Sequence, residues 1–259
     1  MVWSGRTKPL EDALYDSQAL QGFARIDLAA EGVHDDKQAT TLLKFRRLLE
    51  THALCQGLFA ASNADLTARG LLLREGTLVD ATLIAAPSST KNEQQQRDPE
   101  MHQTRKGNHW YFGMKAHLGA DRDSKLVPTV VVTAAHVADV TRTAELLHGG
   151  EKQVHADAGY TGVEKRPEIV ALARKFDWPI ACKRGTIKAM AEGAEKTAVQ
   201  AAEKIKASVR ALVEHPFHIV KNLFRHRKVR YRGLAGNGHQ LCTLFGLANV
   251  VIAGRTAAV

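Results

Sequence analysis

The most constraining feature of this chain is an acid set in the middle of an apolar, β-branched run, TLVDATLI, from Thr77 to Ile84. Leu78, Thr82 and Ile84 alternate with Thr77, Val79, Ala81 and Leu83. Both faces of a strand here are therefore largely apolar, as in a central strand covered on both sides. Asp80 breaks that pattern, and burying a carboxylate is costly unless something compensates it. Two compensations stay open. One is structural pairing with a hydroxyl, a basic side chain or a strand-end amide. The other is a metal ion held jointly with acids from elsewhere in the chain.

Downstream, His109 to Ala120 alternates cleanly, with Trp110, Phe112, Met114, Ala116 and Leu118 on one face and Tyr111, Lys115 and His117 on the other. A polar turn, Asp121 to Lys125, leads into LVPTVVVTAA, the second arm of a hairpin. Pro128 cannot donate to a ladder, which makes this arm the sheet edge. Asp139 is a cap candidate for a short helix through Leu147. Then QVHADAGYTG gives a short strand with Asp157 near its end and a glycine-bracketed turn, Gly159 to Gly162. Pro167 suits the first turn of a helix carrying Ile169, Leu172, Ala173 and Phe176 on one stripe. WPIACKRG supplies a fifth short strand.

Before this region, residues 1–70 read as a small helical N-terminal region, with Leu14, Leu20 and Phe23 in one segment and Leu42, Leu43, Phe45, Leu48 and Leu49 in the next. Asp35 and Asp36 are its cap candidates, and Leu54 to Arg69 is a third piece. Between TLVDATLI and the hairpin, Pro87 to Asn108 is polar and long for a loop in a compact domain. Lys91, Arg97, Arg105 and Lys106 there can reach phosphates, or the loop is simply solvated.

From about Met190 to Phe224 helical character returns. Arg210, Glu214, His218, Lys221 and Arg225 fall on one stripe at helical spacing, with Glu214 its only acid. Pro216 must disturb the ladder or mark a new helix start. The stripe is either a solvated basic face or one that carries a third acid to Asp80 and Asp157.

Charge narrows the partners. Lys and Arg number 36 against 27 acids, a net +9, and an excess of that size favours a polyanion, with nucleic acid ahead of a membrane surface. A merely basic protein is the alternative. From Ala201 onward ten basic residues face only Glu203 and Glu214, a net +8. Cys55, Cys182 and Cys242 show no paired spacing, which indicates neither a zinc site nor a disulfide framework and fits a reducing compartment. No apolar run approaches ~18 residues, and the N-terminus lacks a signal-peptide core.

The fold class is therefore α/β. Strand with Asp80, two antiparallel strands, helix, strand with Asp157, helix, strand and a long helix with Glu214 is the element order of a ribonuclease H-like fold. That means a mixed five-stranded sheet with flanking helices over residues 71–259, its first strand pairing with the fourth and its third at an edge. Three converging carboxylates repel one another unless divalent cations neutralise them.

On these residues a resemblance is specific. TLVDATLIAAPSSTKN, RDPEMHQTRKGNHWYFGMKAHLG, ADAGYTG and VRALVEHPFHIVK resemble the DDE transposases of the insertion-sequence-five family of bacterial mobile elements, over about Leu10 to Val251. The resemblance implies Asp80, Asp157 and Glu214 as catalytic, metal-binding acids, and Arg210 and Lys221 as members of an R-x-x-x-E-x-x-x-x-x-x-K signature. Ala207 stands where that signature begins with Tyr. DNA contacts are expected from Arg210, Lys221, Arg225 and Lys115. The cofactor implied is a pair of Mg²⁺ ions, with Mn²⁺ able to substitute. The partners implied are double-stranded DNA, as terminal inverted repeats and target, and a second copy of the chain on that DNA. No membrane is involved, and the location is the bacterial cytoplasm at the nucleoid. MVWSGRTKP stands where family members carry a further N-terminal segment, which implies a shortened copy. An inactive DNA-binding remnant and a general ribonuclease H-like nuclease are the competing readings.

Overall fold

The structure is a computed structural model of the chain and describes residues 16–18, 22 and 35–256. The expected segment with Leu14, Leu20 and Phe23 lies outside the described residues. Two compact units meet in sequence between Leu54 and Cys55. In the first, helix α1 (Asp35–Thr51) contains the two acids expected as caps. Arg46 and Glu50 form an i, i+4 ion pair at 2.8 Å on its last turns.

The second unit opens with α2 (Leu54–Ala68) and is built on a five-stranded mixed sheet. Its strands are β1 (Gly76–Ala85), β2 (His102–Lys106), β3 (His109–Asp121), β4 (Thr129–Ala134) and β5 (Gln153–His155). β1 is central. It runs antiparallel to β3, from Thr77 opposite Asp121 to Ala85 opposite Gly113, and parallel to β5, from Gly76 opposite Gln153 to Leu78 opposite His155. The long β3 serves further partners in succession: His109–Gly113 pair with β2, and Met114–Gly119 with β4. These pairings meet at Gly113, where a Cβ would lie 2.2 Å from the Ile84 carbonyl oxygen, so no side chain fits.

Apolar alternation sorts the side chains of β1 as expected. Leu78 and Ile84 join Met114, Leu118, Val213, Phe217 and Phe245 in a core on one face of the sheet. Val79 joins Val154, Tyr160 and Ile169 in a core on the other. Helix α8 (Leu234–Thr256) closes the first core. Two buried amides fasten it there. The Asn249 side chain accepts from the Val127 amide at 2.8 Å and donates to the Val127 carbonyl at 2.8 Å and to Asn63 Oδ1 at 2.8 Å. Asn63 of α2 in turn donates to the carbonyls of Val127 and Pro128 at 3.2 Å. The backbone groups flanking Pro128, which has no N–H of its own, thus find partners without another strand. Among the described residues β4 pairs only with β3, the edge position that Pro128 implied.

Several expectations need correction. WPIACKRG is no strand. It touches β5 only through isolated parallel bridges, Gln153 with Asp177 and Ala156 with Ile180, because Pro179 interrupts the donors a ladder needs. Arg184 already begins helix α5 (Arg184–Ala189). The fifth strand is instead β2, inside the stretch read as loop. Every residue of HQTRK is polar or charged and the strand is mostly exposed, so it carries no apolar alternation. The residues Asp139 to Leu147 form a 3₁₀ turn followed by α3 (Thr143–Leu146). The helix begun by Pro167, α4 (Pro167–Val170), stops early, with Ala173 left-handed at φ 51°. No helix among the described residues is long and apolar enough to cross a membrane.

Candidate active site

Asp80 lies near the middle of β1, on the face it shares with Leu78 and Ile84. Its Oδ1 accepts the Ala81 amide at 2.7 Å. Burial pushes its pKa up to about 6, and the nearby charges of Asp157 and Glu214 push the same way, while the Ala81 amide and Arg210 pull against them. Asp157 and Glu214 are thus each within electrostatic reach of Asp80. The sheet explains the first pair: with Leu78 opposite His155 in a parallel ladder, extending the register by two residues sets Asp157 level with Asp80. Asp157 also caps the 3₁₀ turn Ala158–Tyr160, its Oδ1 accepting the Gly159 amide at 2.8 Å.

Glu214 comes from the helical run that covers the same face, and here the predicted single stripe is corrected. Helix α6 (Ala194–Arg210) ends at Arg210. A 3₁₀ turn, Ala211–Val213, a short α7 (Glu214–His218) and a π-turn, Ile219–Leu223, follow in unbroken succession. Pro216 cannot donate, so the ladder tightens before it and widens after it. Glu214, Lys221 and Arg227 nevertheless line one open pocket of about 460 Å³, together with Thr82 of β1. Arg225 lies past the π-turn, exposed and left-handed at φ 54°, and lines no part of that pocket. The Lys221 ammonium is held below its ordinary range by burial, then by the charge of Lys106 and, more weakly, Arg227, with Glu214 opposing.

Lys115 sits apart from these residues. It pairs with Leu83, on the face opposite Asp80, and its ammonium is engaged by Asp139 at 2.8 Å and by the Val137 carbonyl at 2.8 Å. With the side chain only 13% exposed, this geometry gives it a structural partnership and no open approach for a phosphate.

Residues that the sequence did not single out also belong here. Arg227 donates to the Lys221 carbonyl at 3.3 Å and to Asn222, fixing the pocket's rim. Tyr160, in the core on the other side of the sheet, is buried, its hydroxyl has no hydrogen-bond partner among the described residues, and burial with the charges of Asp139, Asp80 and Asp157 pushes its ionisation far up. The signal was present, since Tyr160 stands inside ADAGYTG.

Among the described residues no three His, Cys, Asp or Glu side chains are gathered closely enough to hold a metal as they stand. The donor chemistry still fits a hard divalent cation. All three acids offer oxygen, and Asp80, raised first by burial and further by the charges of Asp157 and Glu214, is a carboxyl that a cation would favour in its ionised form.

No solved structure matches the chain. The family model described as "Transposase DDE domain" matches residues 72–250, well over half the chain, and that span contains Asp80, Asp157, Arg210, Glu214 and Lys221. An acid-bearing central strand, a second acid level with it and a third on the covering helical run thus lie within one matched domain, and the chain belongs to the family of transposases with a DDE domain.

Proposed function

We propose that this protein cuts the ends of a bacterial insertion element and joins them to target DNA, using Asp80, Asp157 and Glu214 as its catalytic acids. Within that family we assign it to the insertion-sequence-five elements, and its sheet is ribonuclease H-like. The order β4-β3-β1-β5, with β1 and β5 parallel and residues 177–180 bridging to β5, supports that fold. The observation that carries the reading is a buried acid on the central strand β1, with Asp157 just past the parallel strand β5 and Glu214 on the helical run that covers the same face, the charges of both adding to burial in raising Asp80. Such a site is poor for a structural carboxylate and suited to a polyvalent cation.

Asp80, Asp157 and Glu214 would hold Mg²⁺ or Mn²⁺, which supplies activation of an attacking oxygen and stabilisation of the leaving oxygen in an in-line phosphodiester displacement. The protein's own groups do the rest. Arg210 offsets the negative field at Asp80 and presents a planar fork to a phosphate. Lys221 and Arg227 bring positive charge to the pocket beside Glu214 and hold the scissile strand laterally. Asp80 must give up its proton to hold the cation, so cation and proton compete there and apparent metal affinity rises with pH. Element ends and target are both duplex DNA, and joining two ends calls for two copies of the chain.

The test is metal-dependent cleavage of a duplex carrying the element's terminal repeat. Nicking at the repeat boundary with Mg²⁺ or Mn²⁺, abolished by Asp80→Asn, supports the reading. Binding without cleavage makes the protein a DNA-binding remnant, and cleavage indifferent to the repeat makes it a general nuclease.

A further inference from the structure

β2 and β3 run on past the end of β1 as a two-stranded arm. The last contacts with β1 are Ala85 opposite Gly113 and the Ala86 amide on the Phe112 carbonyl at 2.8 Å. Beyond them, His109, Trp110 and Tyr111 pair with β2. Gly107, at φ 61°, and Asn108 make the tip. On one face of this arm Arg105 and Trp110 are cross-strand neighbours. The Trp110 ring is 67% exposed. One pleat further in, Phe112 is covered by the Arg97 guanidinium, 5.4 Å from its ring centre. No such cover lies over Trp110 among the described residues. Tyr111 points to the opposite face, so the indole stands alone as a flat apolar surface.

Charge says what fits it. From His102 to Trp110 the arm carries Arg105 and Lys106 and no acid. Arg105 folds back over the tip, donating to the Gly107 carbonyl at 3.1 Å and to Asn108 Oδ1 at 3.4 Å, which keeps its charge at the end of the arm. Lys106 is close enough to Lys221 to depress its proton affinity, and Lys221 lines the pocket of Glu214 with Arg227. A flat aromatic at one end of a run of cations is the arrangement that stacks a base while its backbone lies on the charges. A paired base inside a duplex cannot present its face this way.

We propose that Trp110 is a stacking platform for an unpaired base of a DNA strand whose phosphates run from Arg105, on the same face of the arm, over Lys221 and Arg227 toward the acidic site. The assignment rests on the functional reading above for where the strand is going. For the full chain, affinities are compared for a fully paired duplex and for the same duplex with a short single-stranded 3′ extension, at one salt concentration and without divalent metal. Trp110→Ala weakens binding of the extended duplex about tenfold and leaves the paired one within about twofold, and Trp110→Phe restores most of the loss, because stacking on one aromatic contributes on that scale. An unchanged thermal midpoint for both variants excludes a folding effect. Equal losses on both DNAs, or no loss, overturn the proposal, as does a change in sedimentation of the DNA-free protein with Trp110→Ala, which makes the indole a contact between copies of the chain. If the wild type cleaves and Trp110→Ala neither discriminates the two DNAs nor slows cleavage, the stacking assignment alone fails. Discrimination by a wild type that never cleaves overturns the functional reading instead, and a wild type that binds neither DNA overturns both.

Discussion

On one face of the sheet the buried cation Lys115 is answered by an acid, and its neighbour His117 is kept neutral by burial, which pushes its pKa down to about 4. Lys115 meets Asp139 at 2.8 Å, His117 Nδ1 lies 3.6 Å from the same carboxylate, and His117 Nε2 is 2.8 Å from the Thr133 hydroxyl. On the other face Asp80 meets an amide and otherwise the fields of two more acids, with Arg210 as the opposing charge. The strands β1 and β3 are neighbours, so the backbone environment is shared and only the choice of partners differs. A folded chain that neutralises one buried cluster and leaves another one-sided has stored unfavourable energy where a ligand can release it.

The contrast breaks most decisively at the acids. Asp80→Asn, Asp157→Asn or Glu214→Gln should each lower single-turnover cleavage by about a thousandfold or more, with the circular-dichroism spectrum unchanged, since the lost groups act on the reacting atoms. Retained cleavage in any one would remove it from the site.

Stability should move in the opposite direction. Because the folded-state pKa of Asp80 is raised to about 6, its contribution to metal-free stability is fully present below about pH 4 and is lost as pH rises through about 6. Asp80→Asn escapes that loss. Melting curves without divalent metal should show the variant no more stable than wild type near pH 4 and more stable by up to about 3 kcal/mol above pH 7. A constant difference across that range would mean the field at Asp80 is relieved in the free protein.

On the answered face the sign reverses. Asp139→Ala leaves Lys115 and His117 without their acid and should cost about 2 kcal/mol in denaturant melts, discounted from a fully buried pair because Asp139 is about one third exposed. Cleavage at saturating DNA should stay near wild type at a temperature where the variant is folded. A large kinetic loss without destabilisation would make this cluster part of the chemistry.

The smallest effect sharpens the comparison. Arg210→Ala and Lys221→Ala should slow cleavage about tenfold at saturating DNA, with total affinity falling less, because other cations of the net +8 stretch from Ala201 onward share the non-specific load. Wild-type rates with weakened binding would reduce both to background charge.

What could be read in the sequence follows from which interactions are local. β1, β3 and β4 announced themselves by apolar alternation, and Pro128 marked its edge. Asp80 was visible because an acid in an apolar run is an anomaly. β2 was hidden because its partner, not its own composition, makes it a strand, although Gly107-Asn108 was a hairpin signal. The phase of the covering helix was misread because a period of 3.6 assumes one register, and Pro216 imposes three. Lys115 looked like a solvent-facing cation on a half-polar strand face. Its acid, Asp139, lies beyond the next strand, and no periodicity links the two. The proximity of Lys106 to Lys221 is likewise a product of tertiary folding alone.

The two asparagines that close the edge at Pro128 also set an order of events. During synthesis Asn63, β1, β3 and β4 emerge long before Asn249, which sits in α8, supplies the acceptor for the Val127 amide and shares the Val127 carbonyl with Asn63. Until then the nascent sheet shows open amides at its margin, the condition under which strands pair with the wrong neighbour. A reading frame cut short between Glu214 and Asn249 would therefore yield an adhesive fragment that carries all three acids with its margin unsealed. Quality control of this protein is written into its final turns.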